Sequence, residues 1–395
     1  MQLTYKFRLY PNKEQETKLL NTLELCRQTY NILLAELNNL KIIDRSLIQG
    51  LLPDLKICQP EFNKVYSKVL QYESYRIFSN LNCLYGKKNN NKKVGRLRFK
   101  GVGWFKTFTY NQSGFKLIIT GKRFQILRLS KIGNIKIRAH RHIKGKIKQI
   151  AIKRENSNRW YAFIIEDDIR KPKKQKINKI IGIDLGLDNI VYDSEGNKIS
   201  NPRLLSKYAK RLAKEQRKFS KKKLNSKNRL RVRIRISKIY EKLVNTRNDF
   251  LHKLSKYYTD NYDVISMEDL KIANMVHNRY LSKSILDASW NKLIRFIAYK
   301  AERAGKLFIV VDHRGTTQRC SNCGIIVKKK LWHRIHKCLN CNIEISRDYN
   351  SALEIKRLCL QEIGQELAKS TLVEMRPILN NEHVLSMQQE IVTRY

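Results

Sequence analysis

Seven side chains in this sequence have the type and spacing to do chemistry: three carboxylates far apart in the chain and four cysteines in two close pairs. Asp184 ends the apolar run Ile180-Ile181-Gly182-Ile183, Glu268 ends Tyr262-Asp263-Val264-Ile265-Ser266-Met267, and Asp348 stands in SRDYNSALEI where a helical pattern begins. An acid at the end of a buried strand is costly to desolvate unless a cation or donor compensates it. Acids converging from distant strand ends can hold hard divalent cations beside a phosphate. Taken singly, each has a plainer reading: Asp184 can cap a turn, and Asp348 can sit at a helix N-terminus because the dipole favours it there. Asp269 follows Glu268, and alternate strand residues face opposite sides, so only one of them can share a pocket with Asp184. The pattern alone does not choose between them. Gly182 and Gly186 bracket Asp184 and, lacking side chains, are expected to admit a phosphate backbone.

The cysteines form CSNC (Cys320, Cys323) and CLNC (Cys338, Cys341), with fourteen residues between the pairs. That spacing predicts a four-thiolate zinc ribbon. Four thiolates close the tetrahedron, so the zinc is expected to be structural, clamping a loop that has no core of its own. His313, His333 and His336 stand nearby but are not needed as ligands. Lys328, Lys329, Lys330 and Arg334 within the loop are candidates for phosphate contact. The remaining cysteines, Cys26, Cys58, Cys83 and Cys359, read as small buried hydrophobes.

The surroundings of these groups are strongly cationic. Lys and Arg number 81 against 34 Asp and Glu, a net charge of +47 over 395 residues. Such an excess implies a polyanionic partner bound with a steep salt dependence. A ribosomal-type protein is the bland alternative, but it would not combine a carboxylate set with a zinc ribbon. At 42% hydrophobic residues the chain can bury a large core. No apolar run is long enough to span a bilayer, and the N-terminus lacks the apolar stretch of a signal peptide, so an intracellular protein is expected. Together, acids, cysteines and charge suggest metal-dependent cutting of nucleic acid.

The elements that must position these groups follow from periodicity. Residues 3–9 alternate as a strand, and residues 14–39 and 61–85 repeat as helices. The polar segment 86–101 reads as a loop or boundary. Between about 98 and 170, six short segments alternate apolar residues with Lys or Arg, which predicts a β-barrel or curled sheet with one basic face, whose first strand is 3–9. Trp104, Tyr110 and Trp160 in that region are candidates either for stacking on bases or for core packing. A basic linker, 170–179, leads into an α/β region. Residues 203–258 form long helices whose charges are nearly all of one sign, so a phosphate-facing role is favoured over a salt-bridged surface. Strands at 262–267 and 306–312 enclose a helix at 285–304. Residues 361–395 lose the basic bias and read as a tail.

Taken together, IGIDLGLDN, RNDFLHKLSKYY, YDVISMEDL, TTQRCSNCG, CLNC and SRDYNSALEI, with KFRLYPNKEQ at the N-terminus, resemble the TnpB (OrfB) family of insertion-sequence proteins. These are RNA-guided DNA nucleases related to type V CRISPR effectors. The resemblance runs to about residue 360. It implies a multidomain α/β protein: an RNase H-like (RuvC) nuclease domain with an inserted zinc ribbon, and an N-terminal β-barrel (wedge) interrupted by a helical recognition domain. The implied boundaries are 1–10 and 97–172 for the wedge and 11–96 for the recognition insertion. The nuclease domain takes 173–315 and 345–360, the ribbon 316–344 and the tail 361–395.

Asp184, Glu268 and Asp348 fall on the family's acidic triad, implying hydrolysis of DNA phosphodiester bonds with two Mg2+ or Mn2+ ions. Asp184 would bridge the ions, with Glu268 and Asp348 each completing one side. Cys320, Cys323, Cys338 and Cys341 fall on the zinc ribbon. The implied partners are a guide RNA from the mobile element and double-stranded target DNA, with no membrane, in a monomeric ribonucleoprotein in the cytoplasm, associated with the nucleoid. Some relatives lack triad acids and act as guided repressors. A non-cutting RNA-guided regulator, or a transposition accessory protein, is therefore the alternative. Asn342 stands where the family usually has glycine, and Ser346 and Ser351 replace commoner Asp/Glu and Ala; neither change removes a ligand.

Overall fold

The computed structural model describes residues 2–39, 44–121, 123–168, 177–312, 314–330 and 333–369. Most of the expected basic linker, His313 and the far end of the expected tail therefore lie outside the described residues. The chain divides into two compact units, one of residues 1–169 and 224–238, the other of residues 170–223 and 239–395.

The first unit opens with β1 (Gln2–Tyr10), in which Leu3, Phe7 and Leu9 point inward at alternate positions. A reciprocal capping box then starts α1 (Lys13–Asn39): Gln15 N–H donates to Asn12 Oδ1 and Asn12 N–H to Gln15 Oε1. Next come α2 (Arg45–Cys58), capped by Asp44, a 3-10 turn at Pro60–Lys64, and α3 (Ser67–Asn89). The six predicted strand segments form β2 (Thr107–Asn111), β3 (Phe115–Ile118), β4 (Gln125–Leu129), β5 (Gly133–Arg138), β6 (Ile147–Arg154) and β7 (Trp160–Asp167). With β1 they make one antiparallel sheet in the order β2-β6-β7-β1-β5-β4-β3. Of the two forms the pattern allowed, barrel or curled sheet, the structure takes the second, a curled half-barrel in place of the closed barrel that the family resemblance implied, since its edges β2 and β3 do not pair among the described residues. Helices α1 and α3 pack beside β2. Tyr110 and Trp160 are core residues at 1% and 2% exposure, whereas Trp104 is exposed. Cys26 is buried as expected, but Cys58, at the end of α2, is exposed.

The second unit contains β8 (Ile180–Asp184), β9 (Asn189–Asp193), β10 (Lys198–Ser200), α4 (Leu204–Ser220) and α5 (Lys227–Asn261), whose first turns belong to the first unit. They are followed by β11 (Val264–Glu268), α6 (Ile272–Val276), α7 (Ser282–Ala288), α8 (Trp290–Ala304) and β12 (Leu307–Val311). The hairpin β13 (Ile335–Lys337) and β14 (Glu344–Ser346) runs straight into α9 (Arg347–Lys369), which extends past the expected start of the tail. The five-stranded sheet has the order β10-β9-β8-β11-β12, with β8, β11 and β12 parallel. Central β11 is buried along its whole length, as a parallel strand covered on both faces must be.

One carboxylate lies inside the first unit's core. Glu73 on α3 is fully buried, and Arg76 Nη1 lies 3.1 Å away without the geometry of a hydrogen bond. Burial pushes the Glu73 carboxyl from 4.5 up to about 8, with Arg76 opposing only in part. The unfolded chain gives up this proton first. The stability carried by the neutral acid is therefore complete below pH 4.5 and is lost as pH rises to about 8. Glu73→Gln is expected to leave the melting temperature nearly unchanged at pH 5 and to raise stability by on the order of 1 kcal/mol or more at pH 8. Thermal melts across that range check it; equal effects at both pH values would contradict the assignment.

Candidate functional site

Parallel pairing of β8 with β11 matches Ile183 to Met267, so Asp184 and Glu268 occupy the next rung on adjacent strands. Such strands lie about 4.8 Å apart. Glu268 is buried and faces the Asp184 side; Asp269 is exposed. The alternation thus resolves in favour of Glu268. The third acid arrives on α9. A side chain at Gly182 would place its Cβ 2.3 Å from the Ala352 carbonyl oxygen and 2.6 Å from the Lys356 nitrogen. Glycine therefore admits the α9 backbone, not the phosphate expected from the sequence. Gly186 likewise serves the turn after β8, where a Cβ would lie 2.6 Å from the Asn189 carbonyl oxygen. Asp348 lies one turn before Ala352, and its charge reaches Asp184.

Burial pushes the Asp184 carboxyl well above the ordinary range, and the charges of Glu268 and then Asp348 push it further; Arg347 and the Leu185 N–H pull the other way. Arg347 also donates from Nε and Nη2 to Asp348 Oδ1 at 3.1 and 2.9 Å. Asp348 lies in the first turn of α9, where the dipole favours an acid, but the capping side chain is Ser346. Ser346 Oγ accepts from the Tyr349 N–H at 3.3 Å and donates to Tyr192 Oη at 3.2 Å. Asp184, Glu268 and Asp348 thus offer hard oxygen donors whose like charges act on one another, a donor type that suits Mg2+ or Mn2+. Sequence reasoning missed the part played by Arg347; its adjacency to Asp348 was the available signal.

The four cysteine sulfurs converge to within 4.8 Å of one another. Among the described residues no other group of three or more His, Cys, Asp or Glu side chains gathers its ligand atoms this closely, the three acids included. Cys320 Sγ lies 3.6 Å from Cys341 Sγ, and Cys323 Sγ 3.5 Å from Cys338 Sγ. A tetrahedral zinc with bonds of about 2.3 Å needs sulfur–sulfur edges of about 3.8 Å, so the quartet fits that ion. Each pair ends in a left-handed residue, Gly324 (φ 78°) and Asn342 (φ 52°). Asparagine tolerates that region, which accounts for Asn342 in place of the family's usual glycine. The Ile325 N–H lowers the Cys323 thiol to about 6, favouring the thiolate. Among the described residues no histidine joins the quartet, and His336 is buried against Lys329.

Exposed cations dominate α4, where Lys207, Lys210, Arg211, Lys214 and Arg217 face solvent and Leu204 and Leu212 face inward. Arg231, Arg233 and Arg235 are exposed on α5. Of the ribbon cations, Lys328 and Lys330 are exposed, Lys329 turns inward to the Thr317 carbonyl, and Arg334 pairs with Asp188 at 3.4 Å.

Comparisons with known proteins bear on these features. Residues 149–279 match the family described as OrfB_IS605, "Probable transposase", and residues 290–355 match the Cas12f1-like TNB domain. Residues 1–40 match a family described as a helix-turn-helix domain, although here the segment is β1 followed by the single long α1. The chain is 30% identical over 207 residues to a "Putative RNA-guided DNA endonuclease" of Streptomyces pristinaespiralis, covering 52% of this chain and 51% of that protein. It is 28% identical over 281 residues to the "Putative RNA-guided DNA endonuclease InsQ" of Escherichia coli, covering 67% and 68%. It is 29% identical to the CRISPR-associated endodeoxyribonuclease Cas12f1 of Sulfoacidibacillus thermotolerans, over 55% and 53% of the two chains. The chain thus spans about half the length of some of the curated relatives it matches. In fold it is similar to the protein of a Cas12f1–sgRNA–target DNA complex, with TM-score 0.53 and 15% identity over 88% of this chain and 83% of that one.

Cys320→Ser is expected to lower folding yield and reduce zinc from about one ion per chain. Metal analysis checks it; full zinc retention would refute a four-thiolate site. Gly182→Ala is expected to destabilise the second unit by about 1–3 kcal/mol, because strand or helix backbone must move, and a denaturant melt measures it.

Proposed function

We propose that the chain, which matches the OrfB_IS605 family and the Cas12f1-like TNB domain, is an RNA-guided DNA endonuclease of the OrfB/TnpB family. The observation that carries the reading is the electrostatic meeting of three buried or half-buried acids from β8, β11 and α9 beside a strongly cationic chain. The five-stranded sheet with α9 would be the RuvC-like nuclease domain, the half-barrel the wedge, and α1–α3 the recognition insertion. The cysteine quartet would hold one structural zinc in a ribbon placed before Asp348.

Asp184, Glu268 and Asp348 would hold the divalent ions. Bound Mg2+ or Mn2+ would activate the attacking water and neutralise charge on the leaving 3′ oxygen. The residues' own contribution would be to present carboxylate oxygens from buried and half-buried positions, where cation binding would reverse the upward push on Asp184. Arg347, now on Asp348, keeps one positive charge at the pocket mouth. The exposed cations of α4 and α5 would follow the sugar-phosphate backbones of guide and target, with sequence chosen by base pairing. No helix of the described residues is long and apolar enough to cross a membrane.

Asp184→Ala, Glu268→Ala and Asp348→Ala, each purified with the RNA from its own locus, are expected to lower target cleavage by on the order of 1,000-fold or more while RNA and target binding persist. A gel cleavage assay with Mg2+ beside a filter-binding assay checks this. Wild-type-like cutting by any one variant would remove that acid from the site. Guided binding without cutting by the wild type would favour the regulator reading.

A further inference from the structure

The first cysteine pair and the helix that carries Asp348 are joined by one buried side chain. Asn350 stands two residues after Asp348 on α9 and is fully buried. Its Oδ1 accepts from the Ser321 N–H at 3.0 Å, and its Nδ2 donates to the Arg319 carbonyl at 2.8 Å. Those two residues flank Cys320, so a single amide grips the backbone on both sides of a cysteine of the quartet. The pairing needs one acceptor and one donor on a short stem, which asparagine has; an ionised aspartate has no donor. One turn further along α9, fully buried Glu354 lies 3.5 Å from Arg319 Nε and accepts from Arg357 at 2.7 and 2.6 Å. The Arg347 N–H donates to the Arg334 carbonyl, so the second half of the cysteine segment also holds the start of α9. The same helix touches β8 at Gly182 with no room for a methyl group. The first turns of α9 are therefore set between the cysteine segment and the strand that bears Asp184.

We propose that Asn350 is a positioning residue that couples the four-cysteine centre to the carboxylate pocket. With the knuckle closed on its metal, Asn350 holds the first turn of α9 where Asp348 meets Asp184 and Glu268. Opening the knuckle releases that turn and weakens capture of a divalent ion by the acids. The inference rests on the reading that the three acids hold divalent cations. Outer partners that orient metal ligands typically change affinity by about 10–100-fold when removed, and the same range applies here.

The test uses the full-length protein and Mn2+ as probe, followed by electron paramagnetic resonance, with zinc measured in parallel. Wild type is expected to take up Mn2+ in a manner lost in Asp184→Ala. Asn350→Ala is expected to bind it at least about tenfold more weakly with its zinc content unchanged. With Co2+ in the thiolate site, saturating Mn2+ is expected to shift the cobalt–thiolate bands of the wild type and not those of Asn350→Ala, a readout that a purely structural role would leave unmoved. Wild-type Mn2+ affinity in a zinc-loaded Asn350→Ala overturns the inference alone. Absence of Asp184-dependent Mn2+ uptake in the wild type overturns the carboxylate reading and this inference with it. Should Asn350→Ala lose zinc, the wild type stripped of zinc and checked for helix content decides: an unchanged Mn2+ isotherm overturns the coupling, and a weakened one supports it.

Discussion

The close approach of α9 to β8 at Gly182 is the constraint on which the site depends. With no Cβ at that position, helix backbone rests directly on strand backbone. A methyl group would force the two apart, and even a small displacement matters for ligand oxygens that must share an ion. That contact carries Asp348 into the field of Asp184 and Glu268. Burial and like charge then act in the same direction on Asp184, both pushing its carboxyl upward. Arg347 offsets part of that repulsion from within the chain.

Two metal chemistries are kept apart by ligand type. The thiolate quartet is soft and fully coordinating, which suits a structural zinc; the carboxylates are hard and leave positions for water and phosphate. Their separation in chemistry contrasts with their nearness in sequence, since β14 leads without a break from the cysteine segment into the helix bearing Asp348. An insertion at this point ties the geometry of the acid to the integrity of the ribbon, through Ser346, Asn350 and the Arg334 carbonyl. Around both centres the excess of Lys and Arg has few acidic partners, which leaves the cationic faces of α4 and α5 for a polyanion.

Much of the fold was legible because its signals are local. Alternation placed β1 through β7 to within about three residues, and 3.6-residue periodicity marked α1, α3, α5 and α8. Helix α2 escaped because Pro53 and Gly50 blur its pattern, although only two of its side chains are buried. The expected barrel became a half-barrel because alternation records which face of a strand is apolar and carries no information on its neighbour. Tyr110 and Trp160 showed the same limit. An aromatic residue reads alike whether it stacks on a base or, as Tyr110 does, fills the core and donates its hydroxyl to the Ser130 carbonyl.

By itself the sequence determined the kinds of ligand, the C-x2-C spacing, the acids at apolar strand ends and the sign of the surface, because each follows from residue type and near neighbours. Only the tertiary structure decided that Glu268 is buried while Asp269 is exposed, that Ser346 and not Asp348 caps α9, and that Gly182 makes room for protein backbone and not for phosphate. Each of those outcomes depends on what a distant segment brings to the same place. Long-range packing is a property of the whole core, and no local period contains it.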